Sequence, residues 1–147
     1  MVTLCSACSF NDKEATYPSR VTYSLNTSDN VNPNLSGDGT AIELQIFELE
    51  DDSMFLSADY ESLVTNAKKN LKSNYLEHKD FVLLPGQFKF IEYFELHQDT
   101  RFIGVMGRYA HPESAQWKKL VQVKARDKTY HMMIMFDDSE VKLKIVE

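Results

Sequence analysis

The sequence predicts an all-β fold, a two-sheet β-sandwich with one inserted helical element. Three observations predict it. Apolar residues recur with period two along most of the chain, the apolar runs are short and bounded by turn residues, and a helical period runs through one long segment, residues 53–76. The chain has 147 residues, 43% apolar and 12% aromatic, which suits one domain with a proper core. Its net charge of −6 disfavours nucleic acid as a partner. No apolar run approaches the roughly 18 residues that a membrane-spanning helix needs.

In chain order, residues 9–19 (SFNDKEATYPS) are polar and without period, so residues 1–19 read as a terminal segment ending in a flexible tether. The domain is expected over residues 20–147. Val21, Tyr23 and Leu25 alternate with polar residues as a first strand, and Ile42, Leu44 and Ile46 do so as a second. In the segment 53–76, Leu56, Tyr60, Leu63, Val64, Ala67, Leu71 and Tyr75 recur at helical spacing, with Lys68, Lys69 and Lys72 on the other side. This predicts one amphipathic helix, or two short ones, packed on an edge or face of the sheet.

Leu84-Pro85-Gly86-Gln87 has the Pro-Gly centre of a type II turn. Strands are then expected from Phe88 and Phe90 through Leu96, across FIGVMGRYA (102–110), at Leu120–Val123, through Tyr130, Met132, Ile134 and Phe136, and through Val141, Leu143 and Ile145. Asp137-Asp138-Ser139 reads as the hairpin turn between the last two. A helical turn is expected over 112–118, opened by Pro112 and burying Trp117.

Catalytic chemistry finds little support, so no enzyme, cofactor or metal is predicted. His78, His97, His111 and His131 include no i, i+4 pair; His131 reads as a satisfied strand residue, and His78 and His97 as solvated groups at element ends. There is no G-x-S-x-G, no G-x-G-x-x-G and no phosphate-binding loop. Asp51-Asp52 and Asp137-Asp138 fall at turns, where Asp caps backbone N–H groups. Asn30, Asn32 and Asn34 have the first spacings of a calcium loop. However, Leu35 stands where the turn needs Gly and Ala41 where the bidentate Glu belongs, so that reading is rejected.

Two features remain. One is the long connection Asp29–Thr40, which reads equally as a loose surface loop or as a binding loop held out by a rigid scaffold. The other is LCSAC, at residues 4–8. A Cys5–Cys8 disulfide would staple nothing to the body, a zinc site lacks two further ligands, and a redox C-x-x-C belongs at a strand–helix junction. The fourth reading is lipoprotein processing, with Ala7 the last residue removed and Cys8 lipidated. Leu4 lies one place further upstream than that motif prefers, and the seven residues before Cys8 are too few for a full signal peptide.

The series Asn32-Pro33, AIELQIFEL (41–49), a helix with Phe55, Ala58 and Leu63, LLPGQ (83–87), RFIGVMGRY (101–109) and Gln116-Trp117-Lys118 resembles the TssJ (SciN/VasD) family. These are outer-membrane lipoproteins of the type VI secretion system, and the likeness runs from Val21 to Val146. The resemblance implies a transthyretin-like sandwich, a lipid on Cys8, and a place on the periplasmic face of the outer membrane. It further implies binding to the periplasmic C-terminal domain of TssM, with TssL completing the complex. The family's contact loop follows the first strand; carried over, it is Asn30, Val31, Asn32, Pro33, Asn34, Leu35, Ser36, Gly37 and Asp38. Ser9, after the lipidated position, lacks the Asp that retains enteric lipoproteins in the inner membrane. The alternative function is a periplasmic ligand- or carbohydrate-binding sandwich, with Tyr93, Tyr109 and Tyr130 as its aromatic face.

Overall fold

The computed structural model describes residues 16–146; Cys5, Cys8 and residues 9–15 of the expected tether lie outside them. Eight strands among the described residues are β1 (Arg20–Thr27), β2 (Ile42–Leu49), β3 (Tyr75–Leu83), β4 (Phe88–Glu95), β5 (Phe102–Gly107), β6 (Lys118–Gln122), β7 (Thr129–Phe136) and β8 (Val141–Val146). They form two four-stranded sheets, ordered β4-β1-β7-β8 and β3-β2-β5-β6. β1 pairs antiparallel with β4 and parallel with β7. The predicted sandwich is therefore the fold.

The alternation read from sequence builds the core. Val21, Tyr23 and Leu25 of β1 and Met132, Ile134 and Phe136 of β7 face Ile42, Leu44 and Ile46 of β2 and Ile103 and Val105 of β5, all of them buried. The β2–β3 connection covers the opposite face of the second sheet with α1 (Ser53–Ser57), α2 (Tyr60–Leu71) and a 3₁₀ turn (Lys72–Asn74). Phe47 and Leu49 turn outward from β2 and are buried under Phe55, Leu63 and Leu71. A Cβ at Gly104 of β5 would lie 2.8 Å from the Phe55 ring, so glycine there lets α1 lie flat on the sheet. The Lys118 ammonium holds α1 at its C-terminal end, donating to the carbonyls of Phe55, Leu56 and Ala58 at 2.8 Å each.

Five details differ from the sequence reading. The helical period extends to Tyr75, but Tyr75 and Leu76 open β3, a strand that the alternation did not reveal. α2 is interrupted at Asn66 (φ −161°), whose side chain accepts from Lys69 N and starts the last turn afresh. His78 lies within β3, not at an element end, and its Nδ1 is 2.6 Å from the Tyr75 hydroxyl. Tyr17–Ser19, read as tether, are bonded to the body: Tyr17 exchanges bonds with Asp127, and Ser19 N donates to Ala125 O. The helical turn expected over 112–118 is a single 3₁₀ turn, Pro112–Ser114, with Trp117 half-buried after it and Lys118 opening β6. The expected turn at 84–87 and the reading of His131 hold. Gly86 takes φ +68° in the type II turn, and His131 sits between Thr22 Oγ1 (2.6 Å) and Ser24 Oγ (3.1 Å).

Candidate functional site

β1 runs the length of the sandwich, eight residues or roughly 26 Å at the rise of an extended strand. The chain enters at one end of it, where Leu96 N donates to Ser19 O and Asp127 N to Tyr17 O. The connection in question, residues 28–41, leaves from the other end. Here it meets the β3–β4 turn, the segment after β5 and the β7–β8 turn. Thr27 Oγ1 donates to Leu84 O (2.6 Å), Ser28 Oγ to Asp138 Oδ1 (2.9 Å), and Asn32 N to Asp138 O (3.0 Å).

Within the connection, residues expected to share one role divide in two. Val31 is fully buried and Asn32 is 8% exposed, so neither presents its side chain outward. Asn32 is instead the clamp of the loop. Its Oδ1 accepts from Ala110 N (2.8 Å), its Nδ2 donates to Ala41 O (3.0 Å), and its carbonyl accepts the Thr40 hydroxyl. Its backbone is left-handed (φ +48°), a conformation that Asn adopts more readily than other non-glycine residues. Asn30, Asn34, Leu35, Ser36, Gly37 and Asp38 are exposed and Pro33 is half-buried.

The tip is ordered from inside. Asn34 Oδ1 accepts from both Ser36 N (2.9 Å) and Asp38 N (3.0 Å), while Asn34 N donates to Asp38 O and Gly37 N to Asn34 O, each at 2.9 Å. Gly37 takes φ +82°, which a side chain would resist. This five-residue turn holds Leu35 95% exposed. A shallow groove of about 260 Å³ lies beside it, between Pro33 and Asn34 on one wall and Tyr109, His111 and Ser139 on the other. The sequence signal for Asn32 as a clamp was slight; the wall from 109–115 and 139 was not legible.

The electrostatics of this pole are acidic. Three of its cations are matched, Arg108 with Glu43 (3.4 Å), Lys119 with Glu140 (3.8 Å) and Lys142 with Asp137 (2.6 Å), while Lys89 lies over the Phe81 ring. Asp137 holds the Lys142 ammonium above its ordinary pKa. Asp29, Asp38 and Asp138 have no cation within ion-pair distance among the described residues. The three tyrosines of the alternative reading do not share a face. Tyr109 is buried with its hydroxyl on Asp137 O (2.9 Å), Tyr130 is half-buried with its hydroxyl accepting from Lys124 N (2.9 Å), and Tyr93 is exposed on β4.

Against this geometry, residues 19–139 match the family model described as type VI secretion lipoprotein, VasD, EvfM, TssJ. The chain belongs to the type VI secretion lipoprotein family. Among solved structures it is similar to the TssJ1 lipoprotein of Pseudomonas aeruginosa, with 28% identity over 89% of this chain and 98% of that one, and a TM-score of 0.84. It shares its fold with Lip of Serratia marcescens, a membrane-bound component of the type VI secretion system, with 24% identity, 88% and 98% coverage, and a TM-score of 0.77. A chain in the structure of the TssM C-terminal domain from EAEC also has this fold, with 19% identity, 87% and 98% coverage, and a TM-score of 0.70. No curated protein matches the sequence.

Proposed function

We propose that this lipoprotein anchors the type VI secretion membrane complex to the outer membrane and binds the periplasmic C-terminal domain of TssM through the β1–β2 connection, with TssL joined indirectly. The observation that carries the reading is the loop tip, residues 34–38. It is preorganised by Asn34, projects Leu35 into solvent, and sits at the end of β1 opposite the chain's entry. Preorganisation lowers the ordering cost of association, and a protruding apolar side chain is a natural anchor. The unmatched Asp29, Asp38 and Asp138 favour a basic surface on the partner.

Lipid on Cys8 supplies the membrane end. One acyl chain holds marginally, at about 0.8 kcal/mol per buried CH₂, whereas the three of a mature lipoprotein hold firmly. Anchoring both partners in facing membranes makes their encounter local, so modest affinity suffices. The two halves of the proposal separate experimentally. Cys8→Ser should leave TssM binding intact and abolish outer-membrane fractionation. Replacing residues 34–38 with a Gly/Ser linker should leave fractionation intact and abolish co-purification of TssM. Normal co-purification by the second variant would move the interface elsewhere.

A further inference from the structure

The pole where the chain enters differs in charge from the loop pole. The β6–β7 turn reads Lys124-Ala125-Arg126-Asp127-Lys128, and its three cations are exposed; Arg20 and Arg101, also exposed, stand beside it. None of these five has a carboxylate within 4 Å among the described residues, although the chain as a whole is acidic. The carboxylates of this end are engaged otherwise or stand further off. Asp127 accepts from Tyr17 N, Asp51 from Ser53 N, and Asp99 lies against His97; Glu50 lines a cleft with Arg101, Lys124 and Arg126, and Glu95 stands opposite Arg20 in the β1–β4 register, both beyond ion-pair distance. Lys124 and Lys128 flank a shallow cleft floored by Thr129 and Tyr130. Tyr17 (51% exposed) and Tyr93 (56%) flank the cations with amphipathic rings, and Arg20 lies 4.8 Å over the Tyr93 ring.

Position gives this patch its occupant. Tyr17–Ser19 are bonded to residues 125–127, so the terminal segment departs directly from the basic turn. Eight residues separate Cys8 from Tyr17, a reach of at most about 32 Å. A lipid on Cys8 therefore keeps this face near the bilayer. We propose that the β6–β7 turn is a second membrane contact, in which Lys124, Arg126 and Lys128 bind the phosphates of anionic phospholipid headgroups and set the loop pole facing away from the membrane. A single lipid tether leaves the body free to tumble; a charged face beside the exit point removes that freedom.

This rests on the lipid-anchor reading, but its test does not use the lipid. The full chain carrying Cys5→Ser and Cys8→Ser, hence non-acylated, is sedimented with vesicles of phosphatidylcholine alone or mixed with phosphatidylglycerol. The expected result is binding to the mixed vesicles that fades with salt. It should weaken about fivefold for each lysine removed in Lys124→Gln and Lys128→Gln, and be unchanged in the loop-pole control Lys119→Gln/Lys142→Gln. Equal binding to both vesicles, or equal loss in the control pair, overturns the proposal. Failure of the anchor reading would appear separately, as membrane fractionation of Cys8→Ser in cells that survives a high-salt wash, which the electrostatic contact would not.

Discussion

The side-chain oxygen of Asn32 accepts the backbone N–H of Ala110 at 2.8 Å, joining the β1–β2 connection to the segment after β5 across 78 residues of sequence. With its second bond, to Ala41 O, it closes the base of the loop whose tip is the proposed contact. Asn32→Ala orphans the Ala110 N–H and Ala41 carbonyl at the left-handed position, and should cost about 2–4 kcal/mol. Urea denaturation checks this. Asn32→Gly, which relieves only the backbone, should recover part of the loss and not all of it.

Gly104 and Phe55 form a second pair. A methyl at Gly104 meets the Phe55 ring at 2.8–3.0 Å, and the ring is held between Phe47 and the α1 backbone. Gly104→Ala should destabilise by about 1–3 kcal/mol by overpacking. Gly104→Ala with Phe55→Leu should be less destabilised than the sum of the two single changes, as a double-mutant cycle in thermal denaturation would measure.

Glu48 governs a pH effect. It is 3% exposed, and its Oε1 accepts from His97 N and Thr100 Oγ1 at 2.8 Å each, holding the β4–β5 connection. Burial pushes its carboxyl above the ordinary 4.5, while those two bonds oppose the shift. With a folded pKa above the unfolded one, the native state keeps its proton longer. The group's contribution is therefore fully present below the unfolded pKa and is lost as pH rises through the folded one. Glu48→Gln keeps the acceptor oxygen without the charge. It should be more stable than the parent at neutral pH, with the gap closing as pH falls towards 4.5. Urea midpoints at two pH values read the difference.

Much of the fold was legible because β1, β2, β5 and β7 carry their burial pattern openly in Val21-Tyr23-Leu25, Ile42-Leu44-Ile46, the run from Ile103 and Met132-Ile134-Phe136. β3 was not, for a physical reason. Its inward positions opposite Ile46 and Glu48 hold Lys79 and Glu77. Lys79 lays its stem over the sandwich edge with Nζ 3.3 Å from the Phe94 ring centroid, so a charged residue does a hydrophobic cover's work and erases the alternation. The parallel pairing of β1 with β7 was equally hidden, since residues over a hundred positions apart leave no local trace. At the site, the loop was visible from its composition, but its split into a buried clamp at Val31-Asn32 and an exposed tip was not. That split depends on Ala110 and Asp138, which come from other connections.

The acidic loop pole makes a kinetic prediction. With Asp29, Asp38 and Asp138 unmatched, association with the TssM domain should slow as ionic strength rises. Asp38→Asn should lower the on-rate and flatten its salt dependence, leaving the off-rate nearly unchanged, as surface plasmon resonance would resolve.

The most direct test of the central claim is calorimetric titration of the periplasmic C-terminal domain of TssM with the parent chain and with Leu35→Asp. Leu35 is 95% exposed and makes no contribution to the core, so the substitution should leave the melting temperature unchanged. Burying a leucine is worth about 1.5–3 kcal/mol, so affinity should fall tenfold or more. Unchanged affinity in a folded Leu35→Asp chain would contradict the account.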